Sequence, residues 1–93
     1  MQFPQYPTPR KYNNLPSGYP VCTVVWYKPN GDLVPICFGV VINSERFRYT
    51  VTSIKSIKNN GNIIAYECTY HTYGQLMTVI LRFDIINHRW MVG

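Results

Sequence analysis

The sequence predicts an all-β fold, a small antiparallel barrel or sandwich of about five to six strands with an extended N-terminal arm rich in Pro and Tyr. Two observations lead to this prediction. Residues 47–86 alternate between apolar and polar side chains with a period of two, and turns rich in Asn and Gly separate the alternating runs. Residues 1–20 hold five of the seven prolines, which excludes a helix and a central strand there. We therefore expect an arm at residues 1–20 and a single β domain at residues 21–93.

The first hairpin is predicted at residues 21–28 and 33–42. The first of these segments is rich in β-branched and aromatic residues, which favour a strand. The turn at residues 29–32 combines a proline that presets φ with an Asn-Gly pair that accepts positive φ. Pro35 predicts an edge or a bulge at the start of the returning strand, and Gly39 predicts a bend.

The later strands carry the clearest alternation. In residues 46–57 the apolar positions change phase near Ser53, which predicts a bulge or a strong twist. Residues 63–73 and 76–86 form the next two strands, and residues 89–92 form a short last one that carries a tryptophan. The predicted inward residues are Ile64, Tyr66, Cys68, Tyr70, Met77, Val79, Leu81, Phe83 and Ile85, whereas Glu67, Thr69 and His71 are predicted to face out.

Positive charge is concentrated in two segments of a chain whose net charge is +5. Residues 1–20 contribute two cations and no acid, and residues 45–58 contribute four cations against Glu45. Such segments attract phosphates, anionic lipids or acidic proteins, although a charged surface also serves solubility alone. The candidate residues for nucleic-acid or anion binding are Arg46, Arg48, Lys55, Lys58 and Tyr73, with Tyr27 as a further exposed aromatic.

The N-terminal arm is the predicted assembly element. Tyrosines lie between its prolines, a composition typical of extended, polyproline-like segments. A chain of 93 residues buries a modest share of its surface, so docking of the arm on a neighbouring copy would add stability. The alternative is an arm that wraps its own domain. The candidate assembly residues are Tyr6, Arg10, Lys11, Tyr12 and Tyr19.

No motif in the sequence indicates catalysis, a metal or a cofactor. Glu67 and His71 share one strand face, an arrangement that is more often plain surface than a catalytic pair. Cys22, Cys37 and Cys68 fit no zinc spacing, and their odd number without a leader peptide predicts reduced, buried thiols. A bridge between the first two stays open for a secreted chain. We expect a non-enzymatic protein in an intracellular location, the host cytoplasm or the virion if it is viral.

Part of the sequence resembles the later strands of an immunoglobulin domain. The residues that carry this resemblance are Trp26, Tyr27 and Lys28 before a Gly turn, and Asn62, Tyr66, Glu67 and Cys68 before a Tyr-Gly turn. Tyr66 and Cys68 would match that family's tyrosine corner and second core cysteine, and the resemblance implies a β-sandwich. No residue matches the family's first core cysteine, because Cys22 lies too close to Trp26.

Composition and pattern together predict a binding or assembly protein that self-associates and contacts an anionic partner through the basic strand at residues 46–58. Alanine occurs once, whereas asparagine and tyrosine occur eight times each. Such usage is common where coding DNA is rich in A and T, so we expect a structural or accessory protein of viral or phage type. One alternative is a single-stranded nucleic-acid-binding protein of OB-like type. A third hypothesis is a secreted, immunoglobulin-like decoy.

Overall fold

A computed structural model describes residues 17–72 and 74–93, which form a closed antiparallel barrel and contain no helix. Each strand pairs with its neighbour in the sequence, and the last pairs with the first. The all-β prediction is confirmed, and the architecture is the barrel. Residues 1–16, most of the expected arm, lie outside the described residues. In chain order the strands are β1 (Pro20–Tyr27), β2 (Leu33–Ile42), β3 (Glu45–Asn60), β4 (Ile63–Thr72), β5 (Gln75–Asp84) and β6 (Arg89–Val92).

The immunoglobulin resemblance does not extend to the architecture. That family packs two sheets through Greek-key connections, so strands that are neighbours in sequence often lie in different sheets. Here every strand lies beside the next one in sequence, as in an up-and-down barrel. Tyr66 does use its hydroxyl to bond a distant backbone group, donating to the carbonyl of Leu33 at 2.8 Å. This bond ties β4 to the start of β2 across the barrel.

The barrel closes through a short contact between β1 and β6. Only two residue pairs join these strands, Pro20 with Met91 and Val21 with Trp90. The ladder continues just before β1, where the amide of Val92 donates to the carbonyl of Tyr19 at 2.8 Å. The Tyr19 hydroxyl also donates to the carbonyl of Val41 at 2.7 Å, which links this segment to the end of β2.

Bulges bend the barrel where the sequence predicts them. The register of β3 against β4 shifts between Val51 and Ser53 and again between Ile54 and Ser56. Because each extra residue increases the local twist, β3 pairs with β2 through its first half and with β4 through its second. A third shift, in the β1–β2 pair, lies beside Pro35. The proline is therefore placed at a bulge, where its missing N–H breaks no regular ladder.

Alternating side chains of the strands form the core, as the period of two predicts. The buried hydrophobic residues are Phe38, Val40, Tyr49, Tyr66, Cys68, Tyr70, Val79, Leu81, Phe83 and Val92. For two residues the predicted exposure to solvent is wrong. Thr69 was expected in solvent but is 5% exposed, because Thr52 and Ser53 cover it with hydroxyl contacts of 2.9 and 2.6 Å. Ile85 was expected in the core but is 37% exposed, because it follows the end of β5.

Candidate functional site

The exposed arginines of β3 lie on the outer face that β1, β2 and the first half of β3 form. Arg46 pairs with Val41, and Arg48 pairs with Gly39. Gly39 pairs in turn with Cys22 of β1, so Cys22, Gly39 and Arg48 form one row across three strands. Alternation along β3 brings both arginines to the same side of the sheet, because they are two residues apart.

A shallow groove of about 370 Å³ follows this row, and we call it the arginine groove. Gly39 lies at its centre, where the missing side chain leaves a notch between flanking residues. A Cβ atom at that position would come within 3.3 Å of the carbonyl oxygen of Phe47, so the notch fits glycine closely. The outward side chains that border the groove are Cys22, Val24, Cys37, Val41, Arg46 and Arg48.

The arginine groove carries uncompensated positive charge. Among the residues that the structure describes, the one ion pair joins Lys55 to Glu67, with 3.9 Å between Nζ and Oε2. The two groove arginines therefore have no carboxylate partner in the described part of the chain. Paired guanidinium groups on an apolar floor attract carboxylates or phosphates, which they can bind in a bidentate manner.

The predicted basic strand is divided between separate surfaces. Arg46 and Lys58 are twelve residues apart on β3, a span of roughly 40 Å in an extended strand. The bulges between them also turn the second half of β3 toward β4. Lys55, at one bulge, is engaged with Glu67. The four predicted basic residues therefore do not form one patch.

Lys58 belongs instead to a second basic surface that it shares with Arg82. Lys58 pairs with Ala65 and Ala65 pairs with Arg82, so a single small side chain separates the two cations. They border a concavity of about 610 Å³. The nearby acids are occupied, since Glu67 contacts Lys55 and Asp84 accepts hydrogen bonds within its own turn. Sequence reasoning missed Arg82, and the strand register is the signal that finds it.

The remaining predicted site residues lie elsewhere. Tyr73, Tyr6, Arg10, Lys11 and Tyr12 fall outside the described residues. The described part of the arm contains Tyr19, whose hydroxyl bonds the barrel's own Val41. Tyr27 is 69% exposed and lines a third concave surface, at one end of the barrel interior.

Two titratable side chains of the core stay protonated at neutral pH. Burial raises the pKa of the Cys68 thiol to about 12, so it carries no thiolate at neutral pH. Burial also raises the pKa of Tyr70 to about 12, with a smaller contribution from nearby Tyr49. The prediction of buried thiols is confirmed for Cys68 and wrong for Cys22, which is exposed on β1. Cys22 and half-buried Cys37 border the arginine groove, and none of the three cysteines is in a disulfide.

In the described part of the chain, no group of three or more His, Cys, Asp and Glu side chains could hold a metal ion. Residues 17–72 and 74–93 also contain no helix that is long and apolar enough to cross a membrane. Comparison of the chain with protein-family models, curated proteins and solved structures finds no match. A functional hypothesis for this chain therefore depends on the geometry and charge of its surfaces.

Proposed function

We propose that the chain is a non-enzymatic binding protein that attaches to an anionic partner through the arginine groove. The observation that supports this proposal is the placement of Arg46 and Arg48 beside the notch at Gly39, without a carboxylate partner among the described residues. The residue usage that suggests a viral or phage-type accessory protein agrees with a small binding role.

A charge-matched pair of double variants tests the groove. Arg46→Gln/Arg48→Gln removes both groove cations, and Lys55→Gln/Lys58→Gln removes the same charge elsewhere on β3. The partners are a short single-stranded oligonucleotide and an acidic peptide, titrated by fluorescence anisotropy at several salt concentrations. We expect the groove variant to bind about tenfold more weakly or worse. The slope of log K against log salt concentration should also become shallower by about two, one for each cation removed.

Each alternative has its own outcome in this titration. Equal losses in the two double variants would contradict the proposal, because only net charge would then matter. Preference for the oligonucleotide over the peptide would favour the single-stranded nucleic-acid-binding alternative. The rings that border the groove, Phe38 and Phe47, belong to the core or pack against it, so stacking on bases is not part of the proposed contact.

Self-association is a second candidate function, supported by the edge of β5. Residues 75–79 pair with β4, but β6 covers β5 only at residues 81–84. Among the described residues, this half of β5 therefore has one neighbouring strand. The segment contains no charge and no proline, and its Leu76 side chain is 59% exposed. An edge of this kind favours pairing with a further strand.

A lysine substitution on the β5 edge tests self-association. Leu76→Lys places a charge on the exposed side of the edge, and Ile86→Lys places one on a comparably exposed residue outside the sheet. We expect Leu76→Lys alone to lower the molar mass measured by light scattering. A full-length chain that is monomeric at every concentration would contradict this candidate. If the full-length chain does associate, removal of residues 1–16 shows whether the arm takes part.

A further inference from the structure

The barrel interior opens at the end that carries the turns between β1 and β2, β3 and β4, and β5 and β6. A cavity of about 680 Å³ lies there, and we call it the mouth cavity. Its floor consists of the buried rings of Tyr66 and Phe83 together with Trp90. Between ring centroids, Trp90 is 5.4 Å from Tyr66 and 4.9 Å from Phe83. The floor is therefore a continuous aromatic surface.

Aliphatic side chains form the walls of the mouth cavity, and several of them remain in contact with water. Ile57 is 56% exposed although it lines the cavity, and Tyr27 stands at the rim. Apolar area left in water is unfavourable relative to the same area buried. A ligand that fills the cavity recovers this free energy. The wall residues are Val25, Leu33, Ile57, Ile64 and Ile85.

The floor presents ring faces and not polar atoms. The Tyr66 hydroxyl donates to the Leu33 carbonyl at 2.8 Å, so its hydrogen is already used. Burial raises the pKa of Tyr66, and the nearby charge of Asp32 adds to that shift, so the phenol stays neutral. Aromatic ligand rings stack on such a surface in offset or edge-to-face geometry.

The charged residues at the rim are Lys28 and Asp32, and the polar side chains of Asn59 and His88 also line the cavity. Lys28 and Asp32 carry opposite charges on the same turn. The Lys28 ammonium lies 5.4 Å from the ring centroid of Trp26, outside the cavity lining. The Asp32 carboxylate accepts a hydrogen bond from the Asn30 side chain at 3.1 Å. The formal charges of Lys28 and Asp32 sum to zero, which favours a neutral ligand over a charged one.

We infer that the mouth cavity binds a neutral, ring-bearing apolar small molecule that stacks on Trp90. The volume lies within the range of about 300–1,000 Å³ that is typical of small-molecule sites, and mouths of β-barrels are common places for them. The concave shape favours a small ligand over a second protein. A stable protein contact needs a broad surface of roughly 800 Å² per partner.

The test uses the full chain and N-phenyl-1-naphthylamine, a neutral fluorophore in which a naphthyl and a phenyl group are joined through an N–H group. Its titration should be saturable with one site per chain. In ¹⁵N-labelled protein the indole N–H signal of Trp90 should shift, whereas that of Trp26 should not, because Trp26 does not line the cavity. The Trp26→Phe variant assigns the two signals. Absence of saturation, or a shift of the Trp26 signal alone, would overturn the inference.

A matched pair of variants places the ligand in the cavity. Ile57→Glu puts a carboxylate in the wall, and Ile86→Glu puts one on an equally apolar residue that is 64% exposed and does not line the cavity. We expect about tenfold weaker binding or worse for Ile57→Glu, because the ligand would desolvate a charge, and no change for Ile86→Glu. Equal losses would overturn the inference, and the wild-type signals give a result even if one variant fails to fold.

This inference is independent of the proposed function. Arg46→Gln/Arg48→Gln should retain full affinity for N-phenyl-1-naphthylamine, since neither arginine lines the mouth cavity. Loss of fluorophore binding in that variant would contradict a separate site. The two proposals can therefore succeed or fail separately.

Discussion

The barrel contains two aromatic clusters that have similar chemistry but different enclosure. In the first, Phe38, Tyr49 and Tyr70 pack with ring centroids 5.0–5.4 Å apart, and all three are buried. The second cluster is the floor of the mouth cavity, formed by Tyr66, Phe83 and Trp90 at similar distances. We call the first the closed cluster and the second the open cluster. Ring spacing alone does not distinguish them.

The difference comes from what surrounds each cluster. The closed cluster joins β2, β3 and β4 next to the first bulge of β3. Neighbouring side chains fill the barrel interior there. The open cluster has one side on the mouth cavity, although the ring of His88, from the turn after β5, packs on Phe83 with centroids 6.2 Å apart. An aromatic cluster that is enclosed on every side gains its full burial free energy on folding. A cluster with an open side has apolar area that only a ligand can bury.

The largest expected effect is in the closed cluster. Phe38→Ala removes a ring that is 1% exposed and that contacts both tyrosines of the cluster. We expect a loss of about 3–5 kcal/mol in the free energy of unfolding, because the enclosed site cannot collapse around the missing ring. Urea denaturation followed by circular dichroism measures it. A loss below about 1 kcal/mol would mean that this cluster is as open as the other.

The matched change in the open cluster should cost less. Trp90→Ala removes the larger ring, but that ring already borders the mouth cavity, so its loss enlarges an existing opening and creates little enclosed void. We expect less than half the loss seen with Phe38→Ala in the same urea experiment. Saturating N-phenyl-1-naphthylamine should stabilise the wild type and not this variant. An equal loss in the two variants would remove the distinction between the clusters.

Alkaline pH should destabilise the protein through the closed cluster and its neighbour Cys68. The pKa values of Cys68 and Tyr70 are raised to about 12 in the folded state, against about 8.5 and 10 in an unfolded chain. The unfolded state therefore loses protons first. Stability is complete below about pH 8.5 and falls as the pH rises toward the folded values. Urea midpoints across this range measure the slope, which Tyr70→Phe should flatten above about pH 10.

The smallest effect is expected at a turn beside the open cluster. The Asp84 carboxylate accepts hydrogen bonds from the amides of Ile86 and Asn87 and from the Asn87 side chain. These bonds lower the pKa of Asp84. The contribution of the carboxylate to folding stability is therefore present above about pH 3.9 and is lost as the pH falls through the lowered pKa. Asp84→Asn should slightly lower the melting temperature at neutral pH. If the difference in melting temperature between the wild type and Asp84→Asn were the same at acid pH as at neutral pH, the stabilising role of the Asp84 carboxylate would be contradicted.

Much of the fold could be predicted because strand and turn signals are local. The phase change near Ser53 predicts the bulges of β3, and Pro35 predicts the one in the β1–β2 pair. The alternation in β4 and β5 correctly predicts the inward side chains from Tyr66 to Phe83. The predicted exposure of Thr69 to solvent is wrong, because Thr52 and Ser53 from another strand cover this side chain. A pattern within one strand carries no record of the side chains that cover it.

The candidate sites were only partly predictable. Arg46 and Arg48 are recognisable as exposed cations on one strand face, but the notch beside them requires the register that brings Gly39 between Arg48 and Cys22. The mouth cavity could not be predicted, because its floor combines residues of β4, β5 and β6 that meet only when the barrel closes.

The positions of the six strands, their turns and the inward side of most of them follow from local sequence, since a period of two and Asn/Gly turn chemistry act within a few residues. Pairing between strands sets which of those residues meet. Closure of β6 on β1 forms the mouth cavity, and cross-strand register separates the basic residues of β3 into one row with Gly39 and another with Arg82. Register and closure depend on pairing between distant segments, which no local pattern specifies.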